Sequence, residues 1–370
     1  MDLFSLFDFA DTYNWYRIEA AKSSTNPRLQ IIAALSVVYF VSKLLLLYPL
    51  PSAKKSRALS KSLQGSIIAH RGSREEGLPE NTLVAFKDAI AAGADIVELD
   101  VWMTKDGKIV VHHDESLNRM TQGACKSKIY EMDYSALPSI IPSPGQSERI
   151  ESVIAATGGS KSDWQRIPQL EEVLRVLPEN IGVIVEFKQD SNELIDAVHN
   201  LVSTQLGDGG ARKGNMFWFS LSESINAKLR NKDASIPTIV STISVLSTLA
   251  LFYLGLLPFF SFQDAVYGIT LEEIPLHRVR NEKSVKMFPD LIKRLLAFLL
   301  SGKPPSIMIA PSLFTHLKRR GIPVWFLGCQ NEDDLKIAIK AGATAVLTDR
   351  VNWLTRFTKQ RGIRFHSISE

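Results

Sequence analysis

His70-Arg71-Gly72, Pro79-Glu80-Asn81-Thr82 and Glu98-Leu99-Asp100 place a base, a cation and three acids between residues 70 and 100. Val110-Val111-His112-His113-Asp114 follows and adds two imidazoles and another acid. Ionisable groups at the ends of apolar runs are costly to bury unless metals or opposite charges satisfy them, so this concentration reads as a catalytic site rather than as framework. In an extended strand side chains alternate, which puts Glu98 and Asp100 on one side, where they can share a divalent cation, and points Leu99 the other way.

Local pattern supplies the elements that must position these groups. Ser66–Ala69 reads as a short buried strand and Ala94–Val101 as a second, with a helix over Thr82–Ala92 and a stop at Gly93 between them. From Ser66 onward eight strand-like runs occur, at 66–70, 94–103, 181–187, 215–220, 236–240, 265–270, 322–327 and 344–348, separated by helical or mixed segments. An alternating series of that kind predicts an α/β protein, a TIM (β/α)8 barrel. His70, Glu98, Asp100 and Glu186 then lie at or near the C-terminal ends of their strands, the face on which such barrels build active sites. Residues 104–164 exceed an ordinary connection.

Four motifs in fixed order, HRG at 70–72, PENT at 79–82, ELD at 98–100 and HD at 113–114, resemble the glycerophosphodiester phosphodiesterase family. The likeness resumes at Arg166–Leu170, Val185–Lys188 and Ala341–Asp349, so it covers roughly residues 65–355. It is strongest to the membrane-attached branch with lysophospholipase D activity, which shares an N-terminal hydrophobic anchor and a Gly-Leu-Leu-Pro-Phe segment, here Gly255–Phe259. The resemblance implies that Glu98, Asp100 and Glu186 ligate Mg²⁺ or Ca²⁺, that His70 and His113 are the acid/base pair, and that Arg71 and Lys188 bind phosphate oxygens. The HD pairing selects His113 over His112. Glu80 is either another ligand or the group that orients the HRG loop. Residues 114–164 match the family's insertion after the second strand, expected to cover the site. Phe187 replaces a usual aliphatic residue and Val351 a common proline; neither removes a functional group.

The implied reaction is hydrolysis of a phosphodiester, with water or a neighbouring substrate hydroxyl attacking; a glycerol hydroxyl would first give a cyclic phosphate. The expected substrate is a lysophospholipid, converted to lysophosphatidic acid and a head-group alcohol, with N-acyl lysophosphatidylethanolamine as a related substrate. The alternative is a soluble glycerophosphodiester, which needs only a small polar pocket and yields glycerol 3-phosphate. A catalytically silent membrane adaptor is the reading of a different class, and the presence of every motif acid and both histidines argues against it.

Composition narrows the surroundings. An apolar fraction of 45% is ordinary, so the apolar excess is local, and a net charge of +4 without an Arg/Lys stripe excludes a nucleic-acid partner. Cys125 and Cys329 are too few and isolated for a disulfide framework, and no Asn-x-Ser/Thr sequon occurs, which favours a reduced, cytosol-facing domain. Residues 1–28 form a polar segment, 29–50 a transmembrane anchor long enough for a hydrocarbon core of ~30 Å, 51–65 a basic linker, 66–355 the barrel and 356–370 a tail. Arg17, Lys22 and Arg28 precede the anchor and Lys54, Lys55, Arg57 and Lys61 follow it, and the charge bias favours a cytoplasmic catalytic domain. The shortness of the anchor suits the thin bilayer of the endoplasmic reticulum. The apolar run 240–260 cannot span, because strands follow it and the barrel would be left open. With 287–300 it is expected to form a lipid-dipping mouth beside the active site, joined to the anchor on the opposite face by an extended 51–65 linker.

Overall fold

The structure is a computed structural model that describes residues 27–47, 63–205, 214–271, 289–291, 294 and 306–362. Its strands are β1 (Ser66–Ala69), β2 (Ile96–Met103), β3 (Ile109–Val111), β4 (Gly182–Phe187), β5 (Met216–Phe219), β6 (Tyr267–Thr270), β7 (Val324–Leu327) and β8 (Ala345–Thr348). Parallel pairing runs in the order β5-β4-β2-β1-β8-β7-β6, with β3 antiparallel on the free end of β2. Thr238 bridges Trp218 of β5 and Ile239 bridges Val266 just ahead of β6, which closes the ring into an α/β TIM barrel. The stave expected at 236–240 is therefore two bridges rather than a continuous strand. Pro237 has no N–H to give a ladder, and only its carbonyl takes part, accepting from Trp218.

Alternation along the strands builds two cores. Val97, Leu99 and Val101 of β2 and Val183 and Val185 of β4 face the surrounding helices, among them Leu83–Ala91 and Asn192–Asn200. Ile68, Ile96, Ile184, Phe217, Ile239 and Trp325 fill the barrel's interior, the rings of Phe217 and Trp325 meeting edge-on at 5.2 Å. The same inward parity, continued toward the C-terminal strand ends, carries His70 above Ile68, Glu98 and Asp100 above Ile96, and Glu186 above Ile184. An apolar plug thus supports a charged layer. The helix predicted over Thr82–Ala92 spans Leu83–Ala91, with Thr82 just outside it as the cap whose side chain accepts the Ala85 N–H, and the chain turns at Gly93, whose φ is +90°.

The long connection after β3 has a core of its own. Trp102, Val110, Leu117, Ile129, Ile140 and Ile167 cluster under it, and its helix Ser147–Thr157 sets Ile150 and Val153 on Leu78 and Val84. It forms a packed wall beside the HRG and PENT loops.

A 21-residue apolar helix, Pro27–Leu47, is long and apolar enough to cross a membrane. Residues 1–26, 48–62 and 363–370, and all of the 287–300 segment except 289–291 and 294, lie outside the described residues. The last barrel helix, Val351–Gln360, runs past residue 355, where the tail was expected to begin.

The expectation of an apolar mouth at 240–260 is corrected. Ser241 caps the helix Thr242–Tyr253 beside Glu223, at the catalytic end, and Val245, Thr248 and Leu249 pack inward as in any barrel helix. A helix that follows a barrel strand returns the chain to the opposite end of the sheet. Its apolar tip, Leu254–Phe260, therefore arrives at the N-terminal end of the barrel, away from the charged layer. There it meets the apolar N-terminal helix: the Ser42 hydroxyl donates to the Gly255 carbonyl, His316 Nδ1 lies 3.0 Å from the Leu46 carbonyl, and Arg319 donates to that of Leu47. Helix and tip share one face, so no reach across the barrel is needed to unite them.

Candidate active site

The chain leaves β1 through two residues in the left-handed region, Arg71 (φ 57°) and Gly72 (φ 80°). At Gly72 a Cβ would lie 2.8 Å from the Ala85 carbonyl carbon, so glycine is required. This turn aims the Arg71 N–H at Glu98 Oε2, 2.9 Å away, and its carbonyl at the Asn81 N–H, also 2.9 Å. The Arg71 guanidinium bridges Glu80 at 3.0 Å and Asp100 at 3.4 Å. Asn81, left-handed as well at φ 57°, donates its amide to Asp100 Oδ2 at 2.8 Å. The HRG and PENT loops are thereby pinned to the ELD strand.

Glu98, Asp100 and Glu186 are buried, and one oxygen of each lies within 4.8 Å of the others. Asp100 and Glu186 are register partners across β2 and β4. Lys188 Nζ sits 2.6 Å from Glu186 and 3.0 Å from Asp100. Burial, then the charges of Asp100 and Glu186, push the Glu98 carboxyl well above the usual range. Burial pushes Glu186 up to about 7 in spite of Lys188. Burial works against ionisation at Asp100 too, but Lys188 and Arg71 outweigh it and hold that carboxyl low. Glu98 Oε1 is buried with no hydrogen-bond partner among the described residues. Three converging hard oxygen donors, two of them with a buried oxygen that accepts no hydrogen bond among the described residues and two held above their ordinary pKa, fit a divalent cation such as Mg²⁺ or Ca²⁺.

Two histidine–aspartate pairs flank this layer. His70 Nδ1 lies 2.8 Å from Asp349 Oδ1, and His113 Nδ1 lies 2.7 Å from Asp114 Oδ1. A carboxylate at Nδ1 favours the Nδ1–H tautomer and leaves Nε2 for chemistry. Asp349 also receives Arg74 at 3.1 Å and Gln330 at 2.9 Å, and Asp114 receives Arg119 at 2.6 Å. Burial would raise both carboxyls, yet these partners hold them below the ordinary range. His112 points inward, 2% exposed, with its N–H on the Asp100 carbonyl and its imidazole pKa lowered by burial. His113 remains 29% exposed at the mouth.

Glu80 takes three arginines: Arg71 at 3.0 Å, Arg74 at 3.3 Å and Arg119 at 2.5 Å. Burial raises its pKa, but the Arg119 hydrogen bond and the guanidinium charges outweigh that and keep it ionised. Among the described residues it stands outside the carboxylate cluster, in the position of a loop-orienting group. Arg119 comes from the insertion. Between insertion and PENT loop a cleft of about 180 Å³ opens, its wall including Arg74, Leu78, Arg119, Met120 and Ile140.

Asn81, Asp114 and Asp349 lie within motifs noted in the sequence, but their contacts assign them functions the motifs did not. Arg74, Arg119 and Gln330 carried no signal, since their partners lie on other elements.

The glycerophosphoryl diester phosphodiesterase family model matches residues 70–353. The chain is 32% identical over 328 residues to lysophospholipase D GDPD1 of Homo sapiens, covering 88% of this chain and 95% of that one. It is 28% identical to lysophospholipase D GDPD3 of Mus musculus, over 76% of this chain and 78% of that one. An Oleispira antarctica phosphodiesterase, solved in complex with the product sn-glycerol-3-phosphate, shares the fold with a TM-score of 0.55 at 19% identity, covering 81% of this chain and 99% of that one.

Proposed function

Because this chain belongs to the glycerophosphoryl diester phosphodiesterase family, we propose that it acts as a lysophospholipase D, hydrolysing a lysophospholipid to lysophosphatidic acid and a head-group alcohol. Phosphodiester hydrolysis comes with the family; the lipid substrate, the ion and the residue roles are the reading advanced here. The observation that carries it is the buried Glu98–Asp100–Glu186 group set between two histidines, each tied through Nδ1 to an aspartate. The lipid is favoured by likeness to a lysophospholipase D along 88% of the chain.

Glu98, Asp100 and Glu186 would hold Mg²⁺ or Ca²⁺, which when bound supplies Lewis-acid polarisation of a phosphoryl oxygen. Arg71 and Lys188, cationic and adjacent, would bind the phosphoryl oxygens and offset developing charge. One of His70 and His113 accepts the proton of the attacking hydroxyl through Nε2, and the other delivers a proton to the departing alcohol. Asp349 and Asp114 hold the two rings in the tautomer this needs. Glu80 spreads Arg71, Arg74 and Arg119 around the mouth. Either water or the free glycerol hydroxyl of the substrate attacks, the second route passing through a cyclic phosphate.

Membrane attachment through the helix Pro27–Leu47 is part of this reading, supported by that helix's length and apolarity. Placement in the endoplasmic reticulum with a cytoplasmic catalytic domain extends it, on the strength of the short apolar run and its flanking basic residues.

The test incubates detergent-purified protein with lysophosphatidylcholine or with glycerophosphocholine, under Mg²⁺, Ca²⁺ or chelator, with the Asp100→Ala protein as blank, and measures choline. Metal-dependent release from the lipid is expected. Release from glycerophosphocholine alone would make the soluble glycerophosphodiester the substrate instead.

A further inference from the structure

We infer that the N-terminal rim of the barrel is a lipid seat: Leu254, Leu256, Phe259 and Phe260, with the end of the helix Pro27–Leu47, rest in one leaflet of a bilayer and turn the catalytic end toward water. These four side chains are 40–68% exposed. They form a contiguous apolar rim of the kind that marks an interaction surface.

What covers the rim follows from the helix packed into it. Ser42 is 1% exposed, and Gly255 lets it approach: an added Cβ at Gly255 would stand 3.3 Å from the Ser42 hydroxyl oxygen. The closing turns of the helix are thus fastened to the rim, and its last carbonyls are satisfied by His316 and Arg319. Before Ser42 the helix keeps its apolar side chains 41–64% exposed, Tyr39 included although its ring passes near Gly255, and no charged residue occurs between Arg28 and Lys43.

Length then fixes the depth of the rim. Residues 27–41 rise about 22 Å at 1.5 Å each, less than a hydrocarbon core of ~30 Å. If the helix enters a bilayer, the remaining thickness is met by the two turns that are packed on the rim, so Leu254–Phe260 enter with them. A second copy of this chain could cover the rim but would leave the exposed turns of a 21-residue apolar helix unexplained. Tyr253 is 54% exposed beside the rim and Arg319 is exposed at the helix end, the residue types that settle at the headgroup level.

The seat has a consequence that rests on the proposed function. With the catalytic end uppermost, the phosphodiester is collected from solution, where a one-chain lipid exchanges freely and a two-chain lipid does not.

The experiment uses the full chain, with Cys125→Ser and Cys329→Ala as background, and Leu256→Cys, Phe259→Cys or Phe260→Cys spin-labelled one at a time. A control label at Glu193→Cys sits at the catalytic end of the helix Asn192–Asn200. Each protein is checked for phosphodiester hydrolysis in detergent and reconstituted into phosphatidylcholine/phosphatidylserine vesicles, where relaxation by oxygen is compared with relaxation by a water-soluble nickel chelate. Oxygen should dominate at all three rim positions and the chelate at 193. Chelate access at the rim overturns the seat, exclusion of both reagents overturns it in favour of a protein contact, and a lipid-exposed label at 193 overturns the orientation. A protein seated as described that releases nothing from either diester would refute the hydrolase reading and leave the seat standing.

Discussion

The His70 imidazole and the Asp349 carboxylate, 279 residues apart in sequence, meet at 2.8 Å where β1 and β8 pair. The contact exists only because the ring brings the first and last strands together, and it turns the end of β8 into a support for the imidazole at the end of β1. Asp349→Asn should lower kcat on the order of 10²-fold with little change in KM, as expected when a general acid or base loses its orienting partner. The pH–rate profile should move as well, and Asp349→Glu should recover part of the rate. An unmoved profile would remove Asp349 from the mechanism.

The carboxylate layer predicts how stability depends on pH. Glu186 at about 7 and Glu98 above its ordinary range both bind protons more tightly folded than unfolded, where an ordinary glutamate titrates near 4.5. Their contribution is fully present below the unfolded pKa and is lost as pH rises through the folded one. In chelator, Tm should therefore fall between about pH 5 and pH 8. Mg²⁺ or Ca²⁺ should cancel the fall by replacing the protons, and a Tm flat across that window in chelator would contradict the burial argument.

Glu98→Gln separates the cation from the fold. The neutral amide removes the charge that burial resists most, so the chelated variant should be at least as stable as the parent at neutral pH. It should lose most of the Tm rise on adding Mg²⁺ or Ca²⁺, and its hydrolysis with it. A cation-induced rise equal to the parent's would place the ion elsewhere.

Arg119 ties the insertion to Glu80 and Asp114. Arg119→Ala leaves Glu80 with Arg71 and Arg74, and Arg119 is half exposed, so the loss in denaturant stability should be small, about 1 kcal/mol. The catalytic effect should be larger, because the PENT loop and the His113–Asp114 pair both lose a brace. Arg119→Lys cannot span both acids and should restore stability better than kcat/KM.

Gly72→Ala and Gly107→Ala make a matched pair. Both positions have positive φ, but an added Cβ meets Ala85 at 2.8 Å at Gly72 and nothing within 4 Å at Gly107. Each should show the strain of a left-handed alanine, about 1 kcal/mol, and Gly72→Ala should lose more in Tm and also lose activity as the HRG turn shifts. Equal losses would mean the turn can relax.

Much was legible in the chain itself. The side-chain parity of a strand depends only on its own backbone, so Ile96, Glu98 and Asp100 on one side and Val97, Leu99 and Val101 on the other follow from spacing. The eightfold alternation determined the barrel, and the barrel placed His70, Glu98, Asp100 and Glu186 at one end. Ring closure decided what remained: the partners Asp349 for His70, Arg119 for Glu80 and Gly255 for Ser42 join distant segments whose types say nothing of one another. It also decided which end of the barrel receives the Leu254–Phe260 tip, because hydropathy measures how apolar a run is and not whether the chain has already returned to the far side of the sheet when the run is displayed.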